Sequence, residues 1–435
     1  MKKADFLFKN ATILTVDGAD CIKNGYLSVS DGKITALGEA LPDIDAVRII
    51  DASDKLLMPG LVNAHMHVPM TLLRGYADDY DLKTWLNDFI FPVESKLDAR
   101  CVRAGALIGI AEMISSGTTS FSDMYYFCDD IAEAVAVSGI KANISRGQTF
   151  FGEKFDFDSD IASREMREYS RRWNKYDNGR IKFEAAIHAE YTSVPELWEA
   201  LAAYSKENGI GIQLHLSETR SEHEECVRKF GITPASLFER SGVFDSRVTA
   251  AHCVWVDDSD IKILAAHGAS VVHNPVSNLK LGSGIAPVLR FVERGVNVAL
   301  GTDGVSSNNS ADMFETLKLA AILHKGVNLD PGIITADMAL GMATIGGATA
   351  QGRGDECGQL KAGMDADIIM LDLNRPGLIP CHNPVSTVVY SARGSDVCMT
   401  MVRGRILYEN GEYMTIDTEK VRHETENYAI PHLFG

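Results

Sequence analysis

The stretch Met58-Pro59-Gly60-Leu61-Val62-Asn63-Ala64-His65-Met66-His67 decides how the rest of the chain is read. An apolar run that ends in His-x-His reads as a buried strand delivering two imidazoles at its last residues. Side chains alternate along a strand with period two, so His65 and His67 point the same way. Two neutral imidazoles on one face can grip one metal ion. An isolated His-x-His is more often a pair of core or surface histidines, so the reading rests on what surrounds it.

Outward from that stretch, eight β-rich runs alternate with longer helical patterns up to about residue 355. The runs are 57–67, 118–124, 141–146, 181–188, 211–218, 248–254, 270–274 and 297–303. Between the first two, Val102, Ala106, Leu107, Ile110, Met113 and Ile114 recur at helical spacing, and Gly117 stands just past them as a stop. Eight strands alternating with helices predict an α/β fold, a (β/α)8 TIM barrel, with catalytic residues at the C-terminal ends of the strands.

On either side the texture differs. Short β-rich runs at 6–9, 12–16 and 26–29 are broken by Asp17-Gly18 and Asp31-Gly32, the turn pairs of hairpins. Similar runs return at 367–371, 386–390 and 399–402. Neither β piece is long enough for a core of its own. Residues 1–57 and 357–435 are therefore expected to meet in one small β-sandwich beside a barrel of residues 58–356.

Composition narrows the partners. The chain has 435 residues, 46% hydrophobic and 23% charged, with a formal net charge of -17, and it lacks the Lys/Arg block that would neutralise phosphates. This excludes a general nucleic-acid or acidic-membrane surface and favours a small-molecule partner. No apolar run approaches the roughly 18 residues of a membrane span, and the opening Met1-Lys2-Lys3-Ala4-Asp5 leads into a strand pattern rather than a signal-peptide core. The expected location is the cytoplasm. The eight cysteines are scattered without a Cys-x-x-Cys, as free thiols in a reducing compartment would be.

Four strand ends carry the chemistry. The first gives His65 and His67, the fifth His215 and Glu218, the sixth His252, and the eighth Asp303. Imidazoles and a carboxylate at such ends form a nitrogen and oxygen ligand set suited to zinc, or to iron or manganese.

The segments 59–67, His215-Leu216-Ser217-Glu218, His252-Cys253, 273–282 and 301–309 together resemble the amidohydrolase superfamily. Within it they are similar to the branch holding S-adenosylhomocysteine and 5'-methylthioadenosine deaminases, guanine deaminase and the triazine chlorohydrolases. The resemblance implies one divalent ion per subunit, most simply Zn2+ with Fe2+ or Mn2+ as alternatives, bound by His65, His67, His215 and Asp303. Binuclear relatives carry a carbamylated lysine at the end of strand four, where this chain has Ile187-His188-Ala189-Glu190. It further implies that Asp303 takes a proton from the attacking water, His252 orients that water, and Glu218 protonates a ring nitrogen of the substrate.

For the substrate the resemblance implies an adenine nucleoside. Glu94, in Phe91-Pro92-Val93-Glu94, would accept from the ribose hydroxyls, Trp85 would lie over sugar or base, and His188 would lie near the 5' substituent. Relatives hold a substrate carboxylate with two arginines. Arg146 matches one, while the other has no clear counterpart in the acidic loop 152–158. A neutral 5' group is therefore expected, as in 5'-methylthioadenosine, 5'-deoxyadenosine or adenosine, ahead of S-adenosylhomocysteine. The resemblance also implies a homo-oligomer. Alternative readings are a guanine deaminase or triazine-type hydrolase and, from a different class, a binding protein that kept the barrel without catalysis.

Overall fold

The computed structural model describes residues 3–18, 21–40 and 43–435. Short β-branched and aromatic runs between turn residues build the first unit: β1 (Ala4–Ile13), β2 (Ile22–Ser30), β3 (Lys33–Gly38), β4 (Ala46–Asp51) and β5 (Lys55–Pro59). Most of the two runs at 6–9 and 12–16 makes a single strand, β1. It is bent where Asn10 takes a left-handed φ of 63° and the antiparallel pairing with β2 slips. Asp31 (φ 51°) and Gly32 (φ 75°) occupy the left-handed region that a two-residue turn between β2 and β3 requires.

One residue, Gly60, separates β5 from the next strand. A Cβ there would lie 2.1 Å from the Thr119 side chain, so the chain can cross from one sheet to the other only at a glycine. Beyond it come β6 (Leu61–Met66), β7 (Thr118–Tyr125), β8 (Lys141–Gln148), β9 (Ile181–Ile187), β10 (Ile212–Leu216), β11 (Val248–His252), β12 (Ser270–His273) and β13 (Asn297–Leu300). Each is parallel to the next, and together they form a nearly closed eight-stranded barrel. Asn63 bridges the seam between β13 and β6: its amide donates to Thr302 Oγ1 (2.7 Å) and its oxygen accepts from Thr302 N (3.0 Å). The helix Ala99–Ser115, which returns from β6 to β7, is capped by Asp98 accepting from Cys101 N at 2.8 Å, and Gly117 follows it with a φ of 88°.

After the barrel, β14 (Ile368–Asp372), β15 (Val397–Val402), β16 (Arg405–Glu409) and β17 (Glu412–Tyr413) return to the first unit. The nine strands make one mixed sheet in the order β17-β16-β15-β14-β5-β1-β2-β3, with β4 beside β1. Its own small core includes Phe8, Leu27, Leu57, Ile368 and Met399. The run 386–390, expected as a strand, is instead part of the helix Pro384–Tyr390. Asn383 caps it by accepting from Ser386 N at 2.9 Å, and Pro384 stands in its first turn. Those two start signals outweigh the β preference of Val388 and Val389, which the helix buries.

Paired charges close the end of the barrel where the strands begin. Lys141, fully buried at the start of β8, donates to Asp365 (2.7 Å) and to Asp367, and Lys33 and Arg403 also pair with Asp365. Arg353, equally buried, donates to Asn143 Oδ1 and to the carbonyls of Ala142, Gly179 and Arg180. This network also ties the barrel to the small sheet. All eight cysteines are free. Among the described residues no helix is long and apolar enough to cross a membrane.

Candidate active site

At the opposite end, the strand exits bring four histidines and two carboxylates together. The donor atoms of His65, His67 and Asp303 lie within 4.8 Å of one another, as do those of His65, His215 and His252. Asp303 Oδ1 is 3.4 Å from His65 Nε2 and 3.2 Å from His67 Nε2, and His67 and His215 face each other through Nε2 atoms 3.4 Å apart. Backbone strain sets these positions: His252 (φ 71°), Asp303 (φ 62°) and Ser217 (φ 45°) all take left-handed conformations where their strands stop. Gly301 lets the eighth exit approach the first, since a Cβ there would lie 2.9 Å from the His65 carbonyl oxygen.

The outer atoms of these side chains are tied down. His67 Nδ1 meets the Met124 carbonyl at 2.5 Å, His215 Nδ1 the His188 carbonyl at 2.6 Å, and His252 Nδ1 Asn278 Oδ1 at 2.8 Å. Each acceptor fixes the proton on Nδ1 and turns the Nε2 lone pair inward. Asp303 Oδ2 accepts from Ser277 (2.6 Å) and Ser307 (2.9 Å), leaving Oδ1 to face the imidazoles.

This arrangement fits a divalent metal ion. His65 Nε2 is buried and lacks a hydrogen-bond partner among the described residues. Ligands on a tetrahedral ion with bonds of about 2.0–2.1 Å stand roughly 3.3 Å apart, and the inward-facing pairs are spaced 3.2–3.4 Å. Burial pulls His65 down to about 4 and, with the neighbouring imidazoles, holds His215 well below the usual range, which favours the neutral rings. For His67 burial works the same way but is overcome by the Asp303 carboxylate, and its pKa stands at about 9. Burial would likewise push Asp303 up, yet its contacts with His65 and His67 hold it well below the ordinary carboxylate range.

A cleft opens onto this centre, walled by His67, His215, His252, Asp303 and Glu218 and, further out, by Trp85, Glu94, Tyr125, His188 and Tyr191. Glu218 Oε1 accepts from Ser283 Oγ at 3.2 Å, and its Oε2 lies 3.7 Å from His252 Nε2. Burial raises the Glu218 carboxyl. His252 is raised as well, because the charges of Glu218 and Asp303 outweigh its burial. Glu94 accepts from the Tyr125 hydroxyl at 2.6 Å, and burial lifts it to about 7 against that bond. Trp85 is buried with its Nε1 unpartnered. His188 is held down to about 4 by burial, and its Nδ1 lies 2.9 Å from Thr192 Oγ1.

Of the residues singled out from sequence, His65 lies just behind the others, and all the rest except Arg146 line this one cleft. Arg146 stands in an adjoining cleft with Phe91, Ser95, Tyr126, Phe127 and Glu165. It donates to Glu165 at 2.7 Å and to the Gly147 carbonyl, so its charge is already answered. The sequence reading missed Tyr125, Ser277, Asn278, Ser283 and Ser307. A signal existed for three of them, since Ser277 and Asn278 fall inside the 273–282 motif and Ser307 inside 301–309.

The sequence model of the amidohydrolase family matches residues 56–407. A 5-methylthioadenosine/S-adenosylhomocysteine deaminase of Acetivibrio thermocellus is 45% identical over 429 residues, 98% of this chain and 99% of its own. A 5'-deoxyadenosine deaminase of Methanosarcina mazei is 43% identical over 427 residues, 98% of each chain. The crystal structure of an adenosine deaminase from Xanthomonas campestris with bound zinc superposes with a TM-score of 0.93 at 32% identity, over 99% of each chain.

Proposed function

The chain belongs to the amidohydrolase family, and from that premise we propose that it hydrolyses the exocyclic amino group of an adenine nucleoside, releasing ammonia and the inosine analogue. The observation that carries the reading is a single cleft combining a buried acid, Glu218, with an inward-facing His and Asp donor set and a second buried carboxylate, Glu94, among aromatic rings. His65, His67, His215 and Asp303 would hold one zinc ion. Such an ion lowers the pKa of a water toward neutrality.

Asp303, anchored by two serines, presents one free oxygen and takes the proton of the attacking water. His252, fixed by Asn278, turns its Nε2 to that water and orients its attack on the amino-bearing carbon. Glu218, whose carboxyl burial raises, delivers its proton to the neighbouring ring nitrogen. Glu94 accepts from the ribose hydroxyls, Trp85 packs on the nucleoside and His188 lies by the 5' substituent. No lysine or arginine lines the cleft among the described residues, and Arg146 is engaged by Glu165. A neutral 5' group is therefore preferred to one ending in a carboxylate.

Following ammonia release from 5'-methylthioadenosine, 5'-deoxyadenosine, adenosine, S-adenosylhomocysteine and guanine tests this directly. The first three should be turned over with kcat/KM at least equal to that for S-adenosylhomocysteine. A preference for S-adenosylhomocysteine above about tenfold, roughly 1.4 kcal/mol, would overturn the neutral-group reading, and turnover of guanine alone would overturn the nucleoside reading.

A further inference from the structure

Glu218 sits on a turn that its own strand does not hold. Ser217, just before it, takes a left-handed φ of 45°, which a residue with a side chain keeps only when its surroundings impose it. Part of the constraint comes from the exit of β11, where Val254 N and Trp255 N donate to the Ser217 carbonyl at 3.1 and 3.0 Å. The rest comes from the first turn of the helix Arg220–Phe230. There Glu222 Oε2 accepts from the amide of Thr219 at 3.3 Å and from that of Glu218 at 2.9 Å. His223 Nδ1 lies 3.0 Å from Ser217 Oγ. A capping box needs only the bond to Thr219; here the shorter bond goes to Glu218.

The setting of Glu222 is also costlier than a cap requires. It is buried, and so is Glu190 on the loop after β9. Neither carboxylate oxygen of Glu190 has a donor among the described residues, and the group it meets is Glu222. Their contact is a hydrogen bond only with a proton between the two carboxyls, and burial pushes both upward toward that state. A surface helix gains nothing from two buried acids at its start that a lone capping carboxylate would not supply.

We propose, on the reading that Glu218 is the proton donor, that Glu222 is a positioning residue: it grips the Glu218 amide and so fixes the carboxyl that reaches the substrate ring. The Glu218 side chain has few anchors of its own: among the described residues it accepts one hydrogen bond, from Ser283 at 3.2 Å, and otherwise faces His252 at 3.7 Å. Its placement is inherited from its backbone, and a displacement of about 1 Å at a reacting group can cost on the order of 10²-fold in rate.

The test uses full-length, zinc-loaded enzyme and its best substrate from the nucleoside panel. Glu222→Ala should lower kcat about 10- to 100-fold, with KM and zinc content near wild type. Glu222→Gln, whose amide oxygen can accept the same two N–H groups, should restore most of that loss. In a Glu218→Gln background, Glu222→Ala should bring no further loss, because it acts through the residue already disabled. Losses that multiply in the double variant, or an unchanged kcat in Glu222→Ala, overturn the positioning role while leaving Glu218 as donor. Near wild-type turnover in zinc-loaded Glu218→Gln overturns the donor reading and the positioning role with it. Should the alanine variant not fold, Glu222→Asp withdraws the oxygen by one methylene and is read by the same comparison.

Discussion

Where the barrel strands begin, Lys141 is enclosed by Asp365 and Asp367, and Arg353 reaches a carbonyl or side-chain oxygen with each of its nitrogens. Where the strands stop, His65 Nε2 and, in the wall of the cleft, Trp85 Nε1 are buried without a hydrogen-bond partner among the described residues. An unmet buried polar group costs about 1–3 kcal/mol, so the two ends differ in what their polar atoms are for. The lower end answers its own charges and stabilises the fold. The upper end leaves atoms open for a ligand and is paid for by the rest of the molecule.

If that division holds, substitutions at one end should move activity and those at the other should move stability. Asp303→Ala should have the largest effect, lowering kcat/KM on the order of 10⁴-fold with loss of bound metal. Retention of more than about a tenth of the activity, with metal still bound by elemental analysis, would break the comparison at its upper end. Lys141→Met leaves the buried Asp367 without its cation and takes one of three from Asp365, and should cost about 3–5 kcal/mol in urea unfolding. Turnover per folded molecule should stay unchanged, and a variant as stable as wild type would break the comparison at the lower end.

Smaller effects sharpen it. Wild type should discriminate against a 2',3'-dideoxy nucleoside by roughly 10²-fold in kcat/KM, and Glu94→Ala should erase that ratio rather than slow both substrates alike. Ser277→Ala removes one anchor of Asp303 and should weaken metal affinity about 10-fold, the lower end of what such outer partners contribute, as read by competition with a chelator. The smallest effect is a slope. Burial favours a neutral Asp365, but Lys141, Lys33 and Arg403 overcome it and hold its carboxyl well below the ordinary range. A depressed folded-state pKa gives stability that is fully present above the unfolded value, about pH 4, and lost as pH falls below it. The melting temperature of wild type should therefore drop more steeply below about pH 4 than that of Asp365→Asn.

The barrel and the cluster of His and Asp side chains at its strand exits were legible because both follow local rules. Eight β-rich runs alternating with helical patterns identified the strands, and the barrel they predict put His65, His67, His215, His252 and Asp303 at equivalent exits. What escaped was non-local. The order of the nine-stranded sheet depends on pairings such as Leu57 with Met370, which no window of sequence contains. The helix Pro384–Tyr390 was hidden by its β-branched residues, although Asn383-Pro384 was in plain view as a start signal. Arg146 matched a motif, but its pairing with Glu165 is set by how the helix Ile161–Trp173 packs on β8. Glu222 lies outside the motifs read from the sequence, and only the fold buries it and brings its carboxylate to the Glu218 amide.

Gly60 carries a consequence for how the protein is made. The strand before it, β5, pairs with β14, and Lys55 meets Asp372 across 317 residues of chain. During synthesis Leu56, Leu57 and Met58, all fully buried in the finished fold, leave the ribosome long before their partner strand exists. Closing so long a loop is slow, and the edge of β5 that awaits β14 is meanwhile open to pairing with another nascent chain, although β1 already stands on its other side. The small sheet contributes no residue to the substrate cleft, yet it sets the interval during which the newborn protein is most exposed to aggregation.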